Sequence, residues 1–338
     1  EQPSVWSPWE TSKAWLQGVG SKKRGAVVFL GGDPWHALLL KRRFRLPAAA
    51  YFPEPSAWER SRWLGGFDLV AKGYRATGQE SSRDGSVFVP DLRVDAVLSE
   101  LSQFPPKFDR PLTLAVFPGS RWIHLKSSLG PFLYTVERVK ERFPSLRVLI
   151  AASPIVIRSR LAEAAANPFR LGLRLSTGNL VDDRLVTERG ETLELVWGNP
   201  YHVMAECDLA LSLPGTNTAE LAIAGIPTVV PLSPRVPVGG GGLLGVLERI
   251  PGLGVFKGYL KARKHRRITW LALPNQIAGR MVMPEFMVDD HLENLIEELS
   301  YLLSESGRRE EIASDARTVM GPAGGASELV SYIEEVIG

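Results

Sequence analysis

The sequence holds a single cysteine, Cys207, in 338 residues. One thiol allows no internal disulfide and no cysteine-rich zinc site, and it fits a reducing compartment. The neighbours of Cys207 are apolar, so it is expected to be a packed thiol and not a nucleophile. No apolar run approaches the roughly 18 residues of a membrane-spanning helix, so no segment is expected to cross a bilayer. Charge of one sign is also lacking: 40 Lys and Arg against 37 Asp and Glu leave a formal net charge of +3. Acids and bases interleave along most of the chain, and basic residues do not alternate with aromatics on one face, which argues against nucleic-acid binding. The opening residues, EQPSVWSPWETSKAW, contain neither an initiator Met nor a signal-peptide pattern, so the chain is expected to be a processed or shortened product. There is no internal repeat, and PVGGGGLLG is the one low-complexity tract. No acidic pair with metal-ligand spacing appears between the strands, and neither metal nor cofactor is expected.

What is present is an apolar content of 44%, enough for two domains with proper cores. Short apolar runs without alternation are separated by helical patterns, which predicts a doubly wound α/β protein with parallel sheets covered on both faces. GAVVFLGG, LPAAAYF, FDLVAKG and SVFVP read as strands of a first unit. Asp33 before Pro34 reads as the N-cap of a helix with Pro at its first position. The run FPPKFDRP, Phe104 to Pro111, is the expected domain boundary. Beyond it LTLAVF, LRVLIAAS, TLELVW, Asp208–Leu213, Pro227–Leu232 and Ile268–Leu273 read as strands, and three helices around 290–303, 307–318 and 326–337 close the chain. The expected domains are therefore a partial Rossmann-like unit over 1–110, a complete one over 111–325, and a last helix over 326–338 crossing back to the first. Leu329, Tyr332, Ile333 and Val336 would make that contact. The first unit lacks opening strands, so packing on this helix or on a second copy in a homodimer would have to cover it.

Ligands of such sheets sit outside the carboxyl ends of the strands. Three turns fall there. In LPGTNTAE, Gly215 lets backbone approach a ligand while Thr216 or Asn217 caps a helix whose free N–H groups favour an anion such as a diphosphate. Glu220 follows on a helix expected to pack into the core, where it could accept hydrogen bonds from sugar hydroxyls. The plainer reading is a capped helix whose Glu complements its own dipole. FPGSR repeats the pattern with Gly119, Ser120 and Arg121, and Arg suits bidentate phosphate recognition. In LALPNQIAGRMVMPE, Asn275 follows an apparent strand, and Pro284–Glu285 reads as a loop and a helix start.

PGSR, then GTNTAELAIAGIPTVV, then LPN with a later PE, in this order, resembles lipid-A-disaccharide synthase and its related proteins, which are GT-B glycosyltransferases. The resemblance runs from about Gly25 to the end. It implies two Rossmann-type domains, the N-terminal one incomplete here. It further implies a UDP-sugar donor of the N-acetylglucosamine type and a lipid or glycolipid acceptor. Carried over residue by residue, Arg121, Gly215, Thr216, Glu220, Asn275 and Glu285 would line the donor site, with Gly119, Ser120 and Asn217 in the same turns. FLGGDPWHALLL falls at the family's acceptor loop and makes Asp33 the candidate general base, with His36 second; an N-cap Asp and an exposed His explain the same residues. YFPEPSAWERSR matches an aromatic-Pro-Trp-Arg loop of the family. Pro214 stands where the family has Ser, and an insertion containing PVGGGGLLG and KARKHRR lengthens the segment before Asn275.

The leading expectation is thus an inverting hexosyltransferase, cytoplasmic or peripheral at the inner face of a membrane. Six of the seven residues Lys261–Arg267 are Lys, Arg or His, suited to an anionic lipid surface or to a solvated loop. A sugar epimerase, or a transferase of the peptidoglycan-precursor type, would use the same Glu220 helix without needing the LPN…PE pair. The alternative from a different class is a non-catalytic GT-B remnant that keeps nucleotide-sugar affinity alone.

Overall fold

The computed structural model describes residues 25–53, 64–73, 85–104, 110–233 and 270–337. The Trp-rich opening, most of the YFPEPSAWERSR loop, the glycine-rich tract and the basic run Lys261–Arg267 lie outside them. The chain divides into two compact units, with divides after Asp95 and after Gly321.

The first unit holds β1 (Val27–Phe29), α1 (Pro34–Phe44), β2 (Ala48–Phe52), β3 (Leu69–Lys72), β4 (Val87–Phe88) and the first turn of α2 (Leu92–Leu101) up to Asp95, joined by α10 (Gly325–Ile337) from the end of the chain. Its sheet runs β1-β2-β3-β4, all parallel. All five residues of β2 are buried, as expected for a strand covered on both faces. One face packs Val27, Phe29, Ala48, Ala50 and Phe52 under Ala37 and Leu38 of α1. The other packs Ala49, Tyr51, Leu69 and Ala71 against Leu329, Tyr332, Ile333 and Val336 of α10. Asp95 fixes where α10 starts, accepting from the amides of Gly324 at 2.6 Å and Ala326 at 2.8 Å. A Cβ on Gly325 would lie 2.1 Å from the Pro90 carbonyl oxygen, so only glycine lets the helix approach that closely.

The second unit has an eight-stranded sheet in the order β12-β11-β10-β5-β6-β9-β8-β7. Its strands are β5 (Thr113–Phe117), β6 (Arg147–Ala152), β7 (Gly178–Val181), β8 (Arg184–Thr187), β9 (Thr192–Trp197), β10 (Leu209–Ser212), β11 (Thr228–Leu232) and β12 (Glu285–Met287). Its helices are α3 (Trp122–Arg142), α4 (Arg158–Ala166), α5 (Pro200–Glu206), α6 (Thr216–Ala224), α7 (Leu273–Ala278), α8 (Glu293–Ser304) and α9 (Ser306–Met320). The helical spacing of Leu125, Leu129, Phe132, Leu133, Val136 and Val139 buries one stripe of α3 in the core beside Leu295 and Leu299 of α8. Cys207 is buried, and burial pushes its thiol up, away from the thiolate.

Two expectations need correction. The sheet is not wholly parallel: β7 and β8 form an antiparallel hairpin, and β8 pairs antiparallel with β9. The turn Val181-Asp182-Asp183-Arg184 makes this possible, with Asp182 at φ +49°, a conformation that Asp tolerates better than most residues. The strand expected over Ile268–Leu273 is not there within the described residues, since Leu273 already opens α7. The edge strand is instead β12, at the Pro284–Glu285 step that reads as a loop and helix start, pairing Val230 with Glu285 and Leu232 with Met287.

Candidate functional site

β5 and β10 are parallel neighbours, and the chain leaves them in opposite directions along the sheet, toward β6 and toward β11. Their carboxyl ends therefore flank the point where strand order reverses, the place where open α/β sheets offer a crevice. Each strand ends in Pro-Gly. After β5, Pro118-Gly119-Ser120 turns into α3, and the Ser128 hydroxyl pins the turn by donating to the Pro118 carbonyl at 2.9 Å. Gly119 sits at φ +88°, and a Cβ there would lie 3.0 Å from His124 Cβ and 3.4 Å from Leu213 Cδ1. Only glycine combines that backbone conformation with so little room. After β10, Leu213-Pro214-Gly215 turns into α6. The Thr218 hydroxyl donates to the Gly215 carbonyl at 2.7 Å and accepts from the Leu273 amide at 3.2 Å, tying this turn to α7.

The two turns wall a cavity of about 620 Å³. Gly119, Ser120 and Arg121 line one side, and Gly215, Thr216, Asn217 and Glu220 line the other, with Ser153, Pro154 and Leu271 between. Seven residues singled out in two separate sequence motifs thus share one cavity. The first turns of α3 and α6 both lack acidic side chains, which helix starts ordinarily favour. The amides of His124 and Thr218 bond back to the Arg121 and Gly215 carbonyls, while the two N–H groups ahead of each have no intrahelical acceptor, so both positive helix ends suit an anion. Arg121 precedes α3 as its N-cap residue, extended and without a side-chain cap bond.

Glu220 is not packed into the core as its helix suggested. It is half-buried at the cavity wall, and the Tyr201 hydroxyl donates to its Oε1 at 3.5 Å. Burial, then the Glu220 charge, push the Tyr201 phenol up to about 12, so it stays a donor at neutral pH. His124, which sequence reasoning did not single out, also lines the cavity. Burial and then the neighbouring Arg121 charge hold its imidazole below the usual histidine value.

Asn275 and Glu285 are not among the lining residues. Both are buried, and their polar atoms are committed to the chain itself. The Glu285 carboxylate accepts from the Leu271 amide at 2.6 Å, the Ala272 amide at 2.9 Å and Asn275 Nδ2 at 2.9 Å. Asn275 Oδ1 accepts from the amides of Val282 at 2.7 Å and Met283 at 2.9 Å. The pair splices β12 to the start of α7 and holds Leu271 at the cavity wall. Asp33 and His36 belong to the first unit. Both are exposed at the start of α1, Asp33 makes no side-chain cap bond, and His36 stacks on Trp35 at 3.6 Å. Among the described residues no group of three or more His, Cys, Asp or Glu could hold a metal ion, and no helix is long and apolar enough to cross a membrane.

No protein-family profile matches the chain. A curated lipid-A-disaccharide synthase from Anaeromyxobacter sp. (strain K) is 28% identical over 227 residues, covering 67% of this chain and 49% of that protein. Other relatives of the same name are 20 to 28% identical. The chain spans about half the length of the first of these relatives. Among solved structures, UDP-GlcNAc 2-epimerase from Neisseria meningitidis bound to UDP-GlcNAc superposes with a TM-score of 0.57 at 10% identity, covering 98% of this chain and 84% of that one. A spinosyn rhamnosyltransferase complexed with thymidine diphosphate gives 0.51 at 14% identity, with 95% and 76% covered. The fold is thus that of GT-B glycosyltransferases and epimerases, and curated proteins named lipid-A-disaccharide synthase are similar in sequence at 20 to 28% identity.

Proposed function

We propose that this chain is a glycosyltransferase that takes a sugar from a UDP-sugar, of the N-acetylglucosamine type, and passes it to a lipid or glycolipid acceptor. The observation that carries the reading is the convergence of Gly119–Arg121 and Gly215–Glu220 on one cavity at the β5–β10 crevice. The open ends of α3 and α6, with Arg121, suit the diphosphate. Glu220, kept in place by Tyr201, suits hydroxyls of ribose or sugar. The acceptor hydroxyl attacks the anomeric carbon while the bond from that carbon to the diphosphate oxygen breaks, and UDP leaves carrying the electron pair. Arg121 and the two helix starts stabilise the charge that develops on it. Asp33 is the proposed base for the acceptor proton and His36 the second choice, both being exposed on the first unit. Lys261–Arg267 is the proposed contact with an anionic membrane surface, and a homodimer is the proposed assembly.

The test is UDP release from UDP-N-acetylglucosamine with and without a glycolipid acceptor fraction. Acceptor-dependent release that falls about a hundredfold or more in Asp33→Asn supports transfer and the assigned base, in the range usual for general-base loss. Binding without release supports the non-catalytic reading. Loss of UDP-N-acetylglucosamine to an isomeric sugar nucleotide, with no acceptor needed, supports an epimerase instead.

A further inference from the structure

We infer that His124 is a ligand-contacting residue of the cavity, which takes up a proton as the anionic part of a nucleotide sugar binds and then donates to it. This rests on the nucleotide-sugar reading of the same cavity and goes beyond it by assigning a second cation to the diphosphate.

Geometry comes first. His124 is the third residue of α3, one turn beyond Arg121, and its amide bonds back to the Arg121 carbonyl at 3.0 Å. The imidazole is packed on the Pro118–Ser120 turn: a point where Gly119 would carry a Cβ lies 3.0 Å from His124 Cβ and 3.4 Å from its Nδ1. Glycine at 119 therefore leaves the ring room at the base of the crevice, facing Leu213 from the β10 side. Among the described lining residues the ionisable side chains are Arg121 on the loop before α3, His124 on its first turn and Glu220 on α6; the segments after β6 and β10 contribute Ser153, Pro154 and Leu213–Asn217, none ionisable.

The electrostatics follow from this placement. A histidine beside an arginine at the positive end of a helix is a poor arrangement for an empty cavity. Burial and the Arg121 charge accordingly keep the ring neutral down to a lower pH than usual. An anion seated between Arg121 and the helix starts reverses the sign of the local field. It offsets the guanidinium charge and gives the ring N–H an acceptor. The bound state therefore holds a proton that the empty state does not, and linkage requires affinity to rise as pH falls.

UDP-N-acetylglucosamine is the suitable probe, because its phosphates are diesters whose charge stays constant from about pH 5.5 to pH 8. Calorimetric titrations of wild type are expected to show affinity rising about tenfold from pH 8 to pH 5.5, the effect of one pH unit of differential protonation. Net proton uptake, read from buffers of different ionisation enthalpy, should accompany it. His124→Gln should bind more weakly than wild type, with the larger loss at pH 5.5, and show no slope. The ring resonances of His124 in wild type, followed by NMR with and without the probe, should titrate at higher pH when it is bound, a readout that needs no variant to fold. A flat wild-type profile, or an unchanged slope in His124→Gln, would overturn this inference while leaving the nucleotide-sugar reading standing. Failure of wild type to bind at any pH would remove both.

Discussion

At the residue scale, Asn275 and Glu285 separate what a motif marks from what a side chain does. Sequence order puts them among ligand residues; the structure spends every strong acceptor of the pair on backbone amides and on each other. Asn275→Ala strands two buried amides and part of a buried carboxylate, so unfolding stability should fall by at least about 3 kcal/mol, at roughly 1–3 kcal/mol for each unmet group. Glu285→Gln keeps one acceptor and should lose less. Denaturant titration checks both, and unchanged stability with lost ligand affinity would return them to the ligand's side of the wall. Gly119, Ser120, Arg121, Gly215, Thr216, Asn217 and Glu220 were legible because a strand followed by Pro-Gly and a helix start has one geometry wherever it falls. His124 was not, although its signal was there: it lies three residues after Arg121, on the same face of the first turn. What could not be read is the depth of that turn, which Gly119 sets by its close approach to His124 nearby and to Leu213, far along the sequence.

At the element scale, the site is two copies of one device, a β strand, a Pro-Gly turn and a helix start, brought side by side by the reversal of strand order. Replacing Gly119 with Ala tests the device without touching a charge. The left-handed backbone alone costs roughly 1–2 kcal/mol for an L-residue, and the added Cβ meets His124 and Leu213. Thermal unfolding should move down, and nucleotide-sugar affinity should fall with it; a variant that melts like wild type and binds as well would mean the turn does not shape the cavity. Most strands and helices with an apolar run were legible, but Ile268–Leu273, read as a strand, leads into α7. The elements missed were short or atypical: the β7–β8 hairpin, whose two-Asp turn signals it only in retrospect, and β12, three residues long with a carboxylate turned into the core. In β12 the acid is tolerated because backbone amides meet it, a compensation that local propensity does not record.

At the scale of the whole molecule, two compact units each have their own sheet and core, and the chain's last helix completes the first of them. Leu329 is buried against Ala49, Tyr51, Leu69, Ala71 and Val89. Leu329→Ala should destabilise that unit by about 2–5 kcal/mol, the usual range for emptying a buried leucine site. Hydrogen exchange should then speed up in β1 to β4 and stay unchanged in β5 to β12; uniform acceleration would mean the cores are not separate. The proposed activity requires that the second unit bind the donor through the paired turns, and the most direct measurement is equilibrium titration of UDP-N-acetylglucosamine into wild type, Arg121→Ala and Glu220→Ala at neutral pH, each checked for intact fold. Wild type is expected to bind with micromolar to millimolar affinity, about 4–8 kcal/mol. Each variant should be weaker by about five- to a hundredfold, the loss of one charged or buried hydrogen-bonding partner. Wild-type affinity undiminished in both variants, or no binding by wild type at millimolar donor, would contradict the account.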